Sequence, residues 1–123
     1  MNGNSIFLDT NIVLYLLGGD KTLIQILEDK RLTISFITQL ELLSYKGISS
    51  ADYIIINKFL SECVIVDINN VIKEKTVELR KNNNLKLPDC IIIASAMYLK
   101  MPLITADKQF RKINGADLII YEK

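Results

Sequence analysis

Ser5-Ile6-Phe7-Leu8-Asp9-Thr10-Asn11-Ile12-Val13-Leu14-Tyr15-Leu16-Leu17-Gly18-Gly19 carries three structural instructions in one short run. Ser5 to Leu8 is a brief apolar stretch suited to a strand. Asp9-Thr10-Asn11 is a set of residue types that cap helix N-termini, and Ile12 to Leu17 stays apolar until a glycine pair stops it. The order is strand, turn, buried helix.

The same order recurs outward from this run. Leu23, Ile24, Ile26 and Leu27 repeat at helical spacing behind Asp20, a candidate cap, and Leu32-Thr33-Ile34-Ser35-Phe36 alternates as a half-buried strand does. Thr38 to Lys46 reads as a helix stopped by Gly47, and Ser49-Ser50 opens another that runs to about Glu62, so the two are expected to form a hairpin. Cys63 to Val66 is a third strand with Asp67 at its end, followed by a polar helix from about Asn70 to Lys81 that dissolves in Asn82-Asn83-Asn84. Pro88 suits a first helical turn, and the stretch from there to about Lys100 is apolar nearly all round, which predicts a buried helix. Pro102 to Thr105 is a fourth strand, Lys108 to Lys112 a short helix, and Leu118-Ile119-Ile120 a last short strand. Alternating strands and helices predict an α/β fold: a mainly parallel sheet of four to five strands, flanked by helices in three layers.

With 123 residues the chain has material for one domain, taken as 1–123, since domains run to roughly 100–150 residues. Half of it is hydrophobic and 24% is charged, which suits a packed core and excludes a disordered chain. Fifteen basic and fourteen acidic residues leave a net charge of +1, so attraction to nucleic acid must come from a local patch. Histidine is absent altogether, which removes Ser-His-Asp and Cys-His catalysis and His-bound zinc. The two cysteines, Cys63 and Cys90, lie in apolar runs and read as free buried thiols in a reducing cytoplasm. Asp9 and Asn11 interrupt the first apolar stretch and no basic region precedes it, so neither a signal peptide nor a membrane span is expected.

In open parallel sheets, ligands bind beyond the carboxyl ends of the strands. The acids that fall there are Asp9, Glu41, Asp67, Asp89 and Asp107. Each has a purely structural explanation. Asp9 and Asp107 are placed as helix caps, Thr38-Gln39-Leu40-Glu41 fits a capping box, Asp89 would complement the dipole of the helix after Pro88, and Asp67 reads as a cap or turn residue. Capping does not explain a shared edge, because two carboxylates ~4 Å apart repel by about 4 kcal/mol at an effective dielectric near 20. Four acids on one edge call for a cation or for raised pKa values. Carboxylate oxygens without histidine or thiolate select Mg²⁺ or Mn²⁺, and such a site implies metal-activated water acting on a phosphodiester.

Four segments carry a resemblance that covers nearly the whole chain. Ile6 to Asn11 with its following apolar helix, Ser35 to Leu43, Leu87 to Ala94 and Leu103 to Phe110 resemble, in order, the signature segments of the PIN domain family, and within it the VapC toxins of prokaryotic toxin–antitoxin systems. The resemblance implies a Mg²⁺- or Mn²⁺-dependent endoribonuclease, commonly a homodimer, held in check by a cognate antitoxin. By position it makes Asp9, Glu41, Asp89 and Asp107 the catalytic, metal-binding acids, with Asp9 and Asp89 foremost as direct ligands, and gives Asn11 and Thr105 supporting roles. The chain departs from the family pattern at Cys90, where alanine is usual, and at Asn84, near a position often held by glycine. Neither departure removes a carboxylate.

Lys108, Arg111 and Lys112 would form one basic helix face for RNA phosphates, or merely a solvated face, and Lys86, before the Asp89 segment, is expected to reach RNA as well. Tyr15, Tyr45, Tyr53 and Tyr98 sit in helical patterns and read as core or interface residues rather than stacking platforms. Rival readings are a phosphoacceptor receiver domain, a haloacid-dehalogenase-type phosphatase, and a PIN fold kept only for binding RNA or protein. A receiver needs an acidic pair after its first strand, and a dehalogenase-type site needs a second acid where Asn11 stands.

Overall fold

The computed structural model describes residues 4–123; residues 1–3 of the expected single domain lie outside the described residues. In chain order the elements are β1 (Ser5–Leu8), α1 (Thr10–Leu17), α2 (Lys21–Leu27), β2 (Arg31–Ser35), α3 (Phe36–Leu43), α4 (Ser50–Glu62), β3 (Val64–Val66), α5 (Asn70–Asn82), α6 (Leu87–Leu99), β4 (Leu103–Thr105), a 3₁₀ turn (Lys108–Lys112) and β5 (Leu118–Ile120). The strands form one sheet in the order β3-β2-β1-β4-β5, with every neighbouring pair parallel.

Side chains alternate across a strand, and here both faces are covered. Ile6 and Leu8 of β1 and Ile104 of β4 point into a core shared with Ile12, Val13, Leu23, Leu42 and Leu60 of α1 to α4. Phe7 and Leu103 point the other way, into a core with Ile72, Leu79, Ile92 and Ile93 of α5 and α6 and with Phe110 of the 3₁₀ turn. Two apolar layers explain why the strands read as continuous hydrophobic runs. The burial of every residue from Cys90 to Ala96 shows that α6 is surrounded, as its unbroken apolar sequence predicts. Among the described residues, no helix is long and apolar enough to cross a membrane. Both cysteines are free, and burial pushes the Cys63 thiol up to about 12, too high for a ready thiolate.

Three local readings are corrected. β2 is not half-buried: lying between β1 and β3, it buries Thr33, Ile34 and Ser35 in succession, and Thr33 Oγ1 is the one buried side-chain polar atom without a partner among the described residues. The next helix starts at Phe36 rather than Thr38 and ends at Leu43 rather than Lys46, because Ser35 caps it by accepting the Ile37 N–H at 3.0 Å. α3 then packs against α4, as a hairpin requires. The last short helix is a 3₁₀ turn, a tighter winding that rotates its side chains out of α-helical register.

This topology sets the site. The chain moves from β1 outward through β2 to β3, then returns to place β4 on the other side of β1. At that reversal the segments leaving β1 and β4 diverge and open a crevice at the carboxyl edge of the sheet.

Candidate metal-binding cleft

Asp9 ends β1 and caps α1, with one carboxylate oxygen on each side of the crevice: Oδ1 accepts the Thr10 N–H at 2.7 Å and Oδ2 accepts the Thr105 hydroxyl at 2.6 Å. Thr105 is the last residue of β4 and is fully buried, so its hydroxyl is a fixed donor. The same oxygen accepts the Asp107 N–H at 3.1 Å, and the Asp107 carboxylate caps the 3₁₀ turn through the Gln109 N–H at 2.9 Å. Thr105 thereby ties the two strand-end acids together.

Glu41 arrives from α3. Its Oε1 accepts the Thr10 hydroxyl at 2.8 Å, and Thr10 Oγ1 also lies 2.8 Å from Thr38 Oγ1. A threonine hydroxyl has one proton. With the Thr10 proton directed at Glu41, the buried Thr38 donates to Thr10, forming a relay from the core to the carboxylate. The capping-box explanation of Glu41 fails on this geometry: Ser35 is the cap of α3, Thr38 lies inside the helix, and Glu41 bonds to Thr10. Asp89 stands in the first turn of α6 behind Pro88, half-buried, at a helix start with no side-chain cap bond.

All four acids line one cleft of about 760 Å³, with Asn11, Lys86 and Arg80 among the other lining residues. Asp67 is exposed at the end of edge strand β3 and does not join them. Burial, then the hydrogen bonds from Thr105 and Thr10, then the charges of Asp107 and Glu41 act on Asp9, and the balance raises its pKa. Asp89 is pushed up to about 6 by burial first and by Asp9, Asp107 and Glu41 next, with Lys86 pulling the other way. The acids thus destabilise one another's charged forms, as the shared edge requires.

A hard divalent ion suits this donor set, whose four carboxylates offer only oxygens and outnumber the two cations, Lys86 and Arg80, in the same cleft. Among the described residues, no three His, Cys, Asp or Glu side chains are grouped so that they could hold a metal ion by themselves. An ion held here would therefore keep several of its waters, as Mg²⁺ commonly does.

The expected supporting residues sit as read: Thr105 bonds Asp9, and Asn11 lines the cleft at an exposed position. The expected basic residues divide. Lys86 lines the cleft, whereas Lys108, Arg111 and Lys112 do not. The 3₁₀ winding aligns positions 108 and 111 but turns 112 aside, Lys108 pairs with Glu122 at 3.0 Å, and Lys112 borders a separate depression with Lys75 and Glu78. Sequence reading missed two contributors, Thr10 and Arg80. The run Asp9-Thr10-Asn11 marks the first as a polar residue beside an acid. Nothing in the sequence places the second, which depends on how α5 meets α6.

A family model for the PIN domain matches residues 6–116. Among solved structures, a toxin–antitoxin complex from Klebsiella pneumoniae is 34% identical with a TM-score of 0.79, the match covering 96% of this chain and 99% of that one. VapBC-1 from nontypeable Haemophilus influenzae is 25% identical with a TM-score of 0.81, covering 94% of this chain and 97% of that one. VapBC2 from Rickettsia felis, bound to a DNA fragment from its promoter, has a TM-score of 0.84 over 96% of this chain and 99% of that one; at 23% identity it speaks to the fold alone. The search of curated proteins gives no match.

Proposed function

The chain belongs to the PIN domain family, and on that premise we propose that it is a Mg²⁺- or Mn²⁺-dependent endoribonuclease, the VapC-like toxin of a type II toxin–antitoxin pair. The observation that carries the proposal is the convergence of Asp9, Glu41, Asp89 and Asp107, drawn from four segments, on one cleft at the sheet's reversal point. In this reading Asp9 and Asp89 are the direct metal ligands and Glu41 and Asp107 complete the acidic set. When bound, the ion supplies a lowered water pKa and charge neutralisation at the phosphoryl group. The chain's own part is orientation. Thr105 holds Asp9 and the backbone of Asp107, Thr10 holds Glu41, Asn11 offers a polar amide at the cleft mouth, and Lys86 faces the incoming phosphates. The product ends are a 5′-phosphate and a 3′-hydroxyl.

The complex from Klebsiella pneumoniae supports a cognate antitoxin as partner, since it is 34% identical over nearly both whole chains. The family resemblance supports a homodimer working in the cytoplasm.

Mn²⁺ calorimetry on wild type, Asp9→Asn and Asp89→Asn, paired with RNA cleavage, tests the proposal. Binding and metal-stimulated cleavage in wild type, both lost in the variants at equal foldedness, are expected. Protons compete with the ion at Asp89, so affinity should drop by roughly tenfold per unit below about pH 6. Full cleavage by Asp9→Asn, or none by antitoxin-free wild type with Mn²⁺, overturns it.

A further inference from the structure

The structure assigns Arg80 as a phosphate-binding residue of the cleft that the carboxylates line, an inference that rests on the nuclease reading. Arg80 is in the last turn of α5, and it lines the same cleft as Asp9, Glu41, Asp89 and Asp107. An arginine that shares a cleft with four carboxylates would ordinarily pair with one of them. Among the described residues it forms no ion pair.

Its Nη1 instead donates to the Leu85 carbonyl at 3.2 Å, which folds the side chain over the segment joining α5 to α6. The tether holds the cation on its own wall. Lys86, the other cation in the cleft, behaves differently, since its charge already acts on Asp89. The cleft is therefore bipolar: carboxylates that follow β1 and β4 and stand in the last turn of α3 and the first turn of α6, and, at the end of α5, a guanidinium tethered to Leu85 and paired with none of them.

The ligand that satisfies both walls is anionic and also shares a cation with carboxylates. A phosphodiester strand does this, with one phosphate at the acidic wall and a neighbour on Arg80. Arginine suits the second role because its planar fork matches two phosphate oxygens, and the bond to Leu85 uses one Nη1 hydrogen while leaving the others for the ligand. A contact of this kind positions the strand without reading its bases.

The test measures binding of a fluorescent single-stranded RNA oligonucleotide to the full chain in EDTA, so that nothing is cleaved, across a salt series. Arg80→Gln should weaken binding about tenfold at low salt and flatten the slope of log affinity against log salt by about 0.7, the value of one phosphate contact on a single strand. Arg80→Lys should restore the slope and only part of the affinity. Lys81→Gln, an exposed cation of the same helix outside the cleft, should change neither. With Mn²⁺, Arg80→Gln should raise KM with little change in kcat and should leave calorimetric Mn²⁺ affinity intact.

Equal effects of Arg80→Gln and Lys81→Gln overturn the assignment, because they describe a diffuse field rather than a site. So do an unchanged slope in Arg80→Gln and an absence of RNA binding in wild type. If metal-stimulated cleavage holds while Arg80→Gln changes nothing, only the assignment fails. If the Arg80-dependent slope is present but Mn²⁺ neither binds nor stimulates cleavage, the nuclease reading fails and the phosphate contact stands.

Discussion

Asp9 and Asp20 begin successive helices, and each lends a carboxylate oxygen to its helix, yet the protein treats them in opposite ways. Asp20 accepts the Leu23 N–H at 3.1 Å and takes the Tyr121 hydroxyl on both oxygens, at 2.9 and 3.0 Å. These bonds, led by the one from Leu23, lower its pKa. Asp9 has two donors as well, from Thr10 and Thr105, but burial outweighs them and Asp107 and Glu41 add like charge, so its pKa rises. The proposed role of Asp9 as a metal ligand accounts for this difference where capping alone does not. A cap that only stabilised its helix would be surrounded as Asp20 is, with its charge satisfied.

The largest effect that could break this contrast is on metal-linked stability. Mn²⁺ at a hundred times its Kd should stabilise wild type by about 2.7 kcal/mol, and Asp9→Asn should gain nothing from it. In EDTA at pH 7 the signs should cross. Asp9→Asn removes a buried charge that folding disfavours and should melt at or above the wild-type temperature, whereas Asp20→Asn removes a satisfied charge and should melt below it. Calorimetric melting with and without Mn²⁺ reads both, and a lower metal-free Tm for Asp9→Asn would reduce Asp9 to a second Asp20.

A smaller effect concerns how Glu41 is held. Thr10→Val removes the donor to Glu41 and the acceptor for the buried Thr38 hydroxyl, at a cost of about 1–3 kcal/mol in stability. The same change should weaken Mn²⁺ binding severalfold by releasing the carboxylate. Thr10→Ser keeps the hydroxyl and should recover the Mn²⁺ affinity. Recovery of stability without recovery of affinity would make the relay a packing feature and no part of the acidic edge.

How far these features were legible from sequence depends on the range over which each is determined. Asp9 and Asp107 could be read because each follows an apolar run directly, and a strand's end is a local property. The buried α6 was equally open, since Cys90 to Ala96 contains no charge to expose. Glu41 was legible as an acid near the second strand but not in its bonding: two capping types, Ser35 and Thr38, compete within four residues, and the strand's end decides for the first. The β2 alternation misled because a central strand covered on both faces buries threonine and serine along with isoleucine. Long-range partners were out of reach. Glu122 pairs with Lys108 from just beyond β5, and Arg80 reaches the cleft through the packing of α5 on α6.

The smallest expected effect sharpens the comparison from the Asp20 side. Tyr121→Phe deletes both hydroxyl bonds to Asp20 and leaves the Leu23 bond, so the Asp20 pKa should move up toward its ordinary value without reaching it. A carboxylate whose folded-state pKa is depressed contributes stability above its unfolded pKa of about 3.9 and loses that contribution as pH falls through the folded value. The variant's Tm deficit should therefore be present at pH 7 and shrink below about pH 4, where the wild-type carboxylate takes up its proton too. Mn²⁺ affinity should not change, because Tyr121 is outside the cleft. A deficit that is constant across pH would assign the loss to the ring's packing on the core rather than to the charge of Asp20, and the two aspartates would then differ by burial and by the like charges around Asp9.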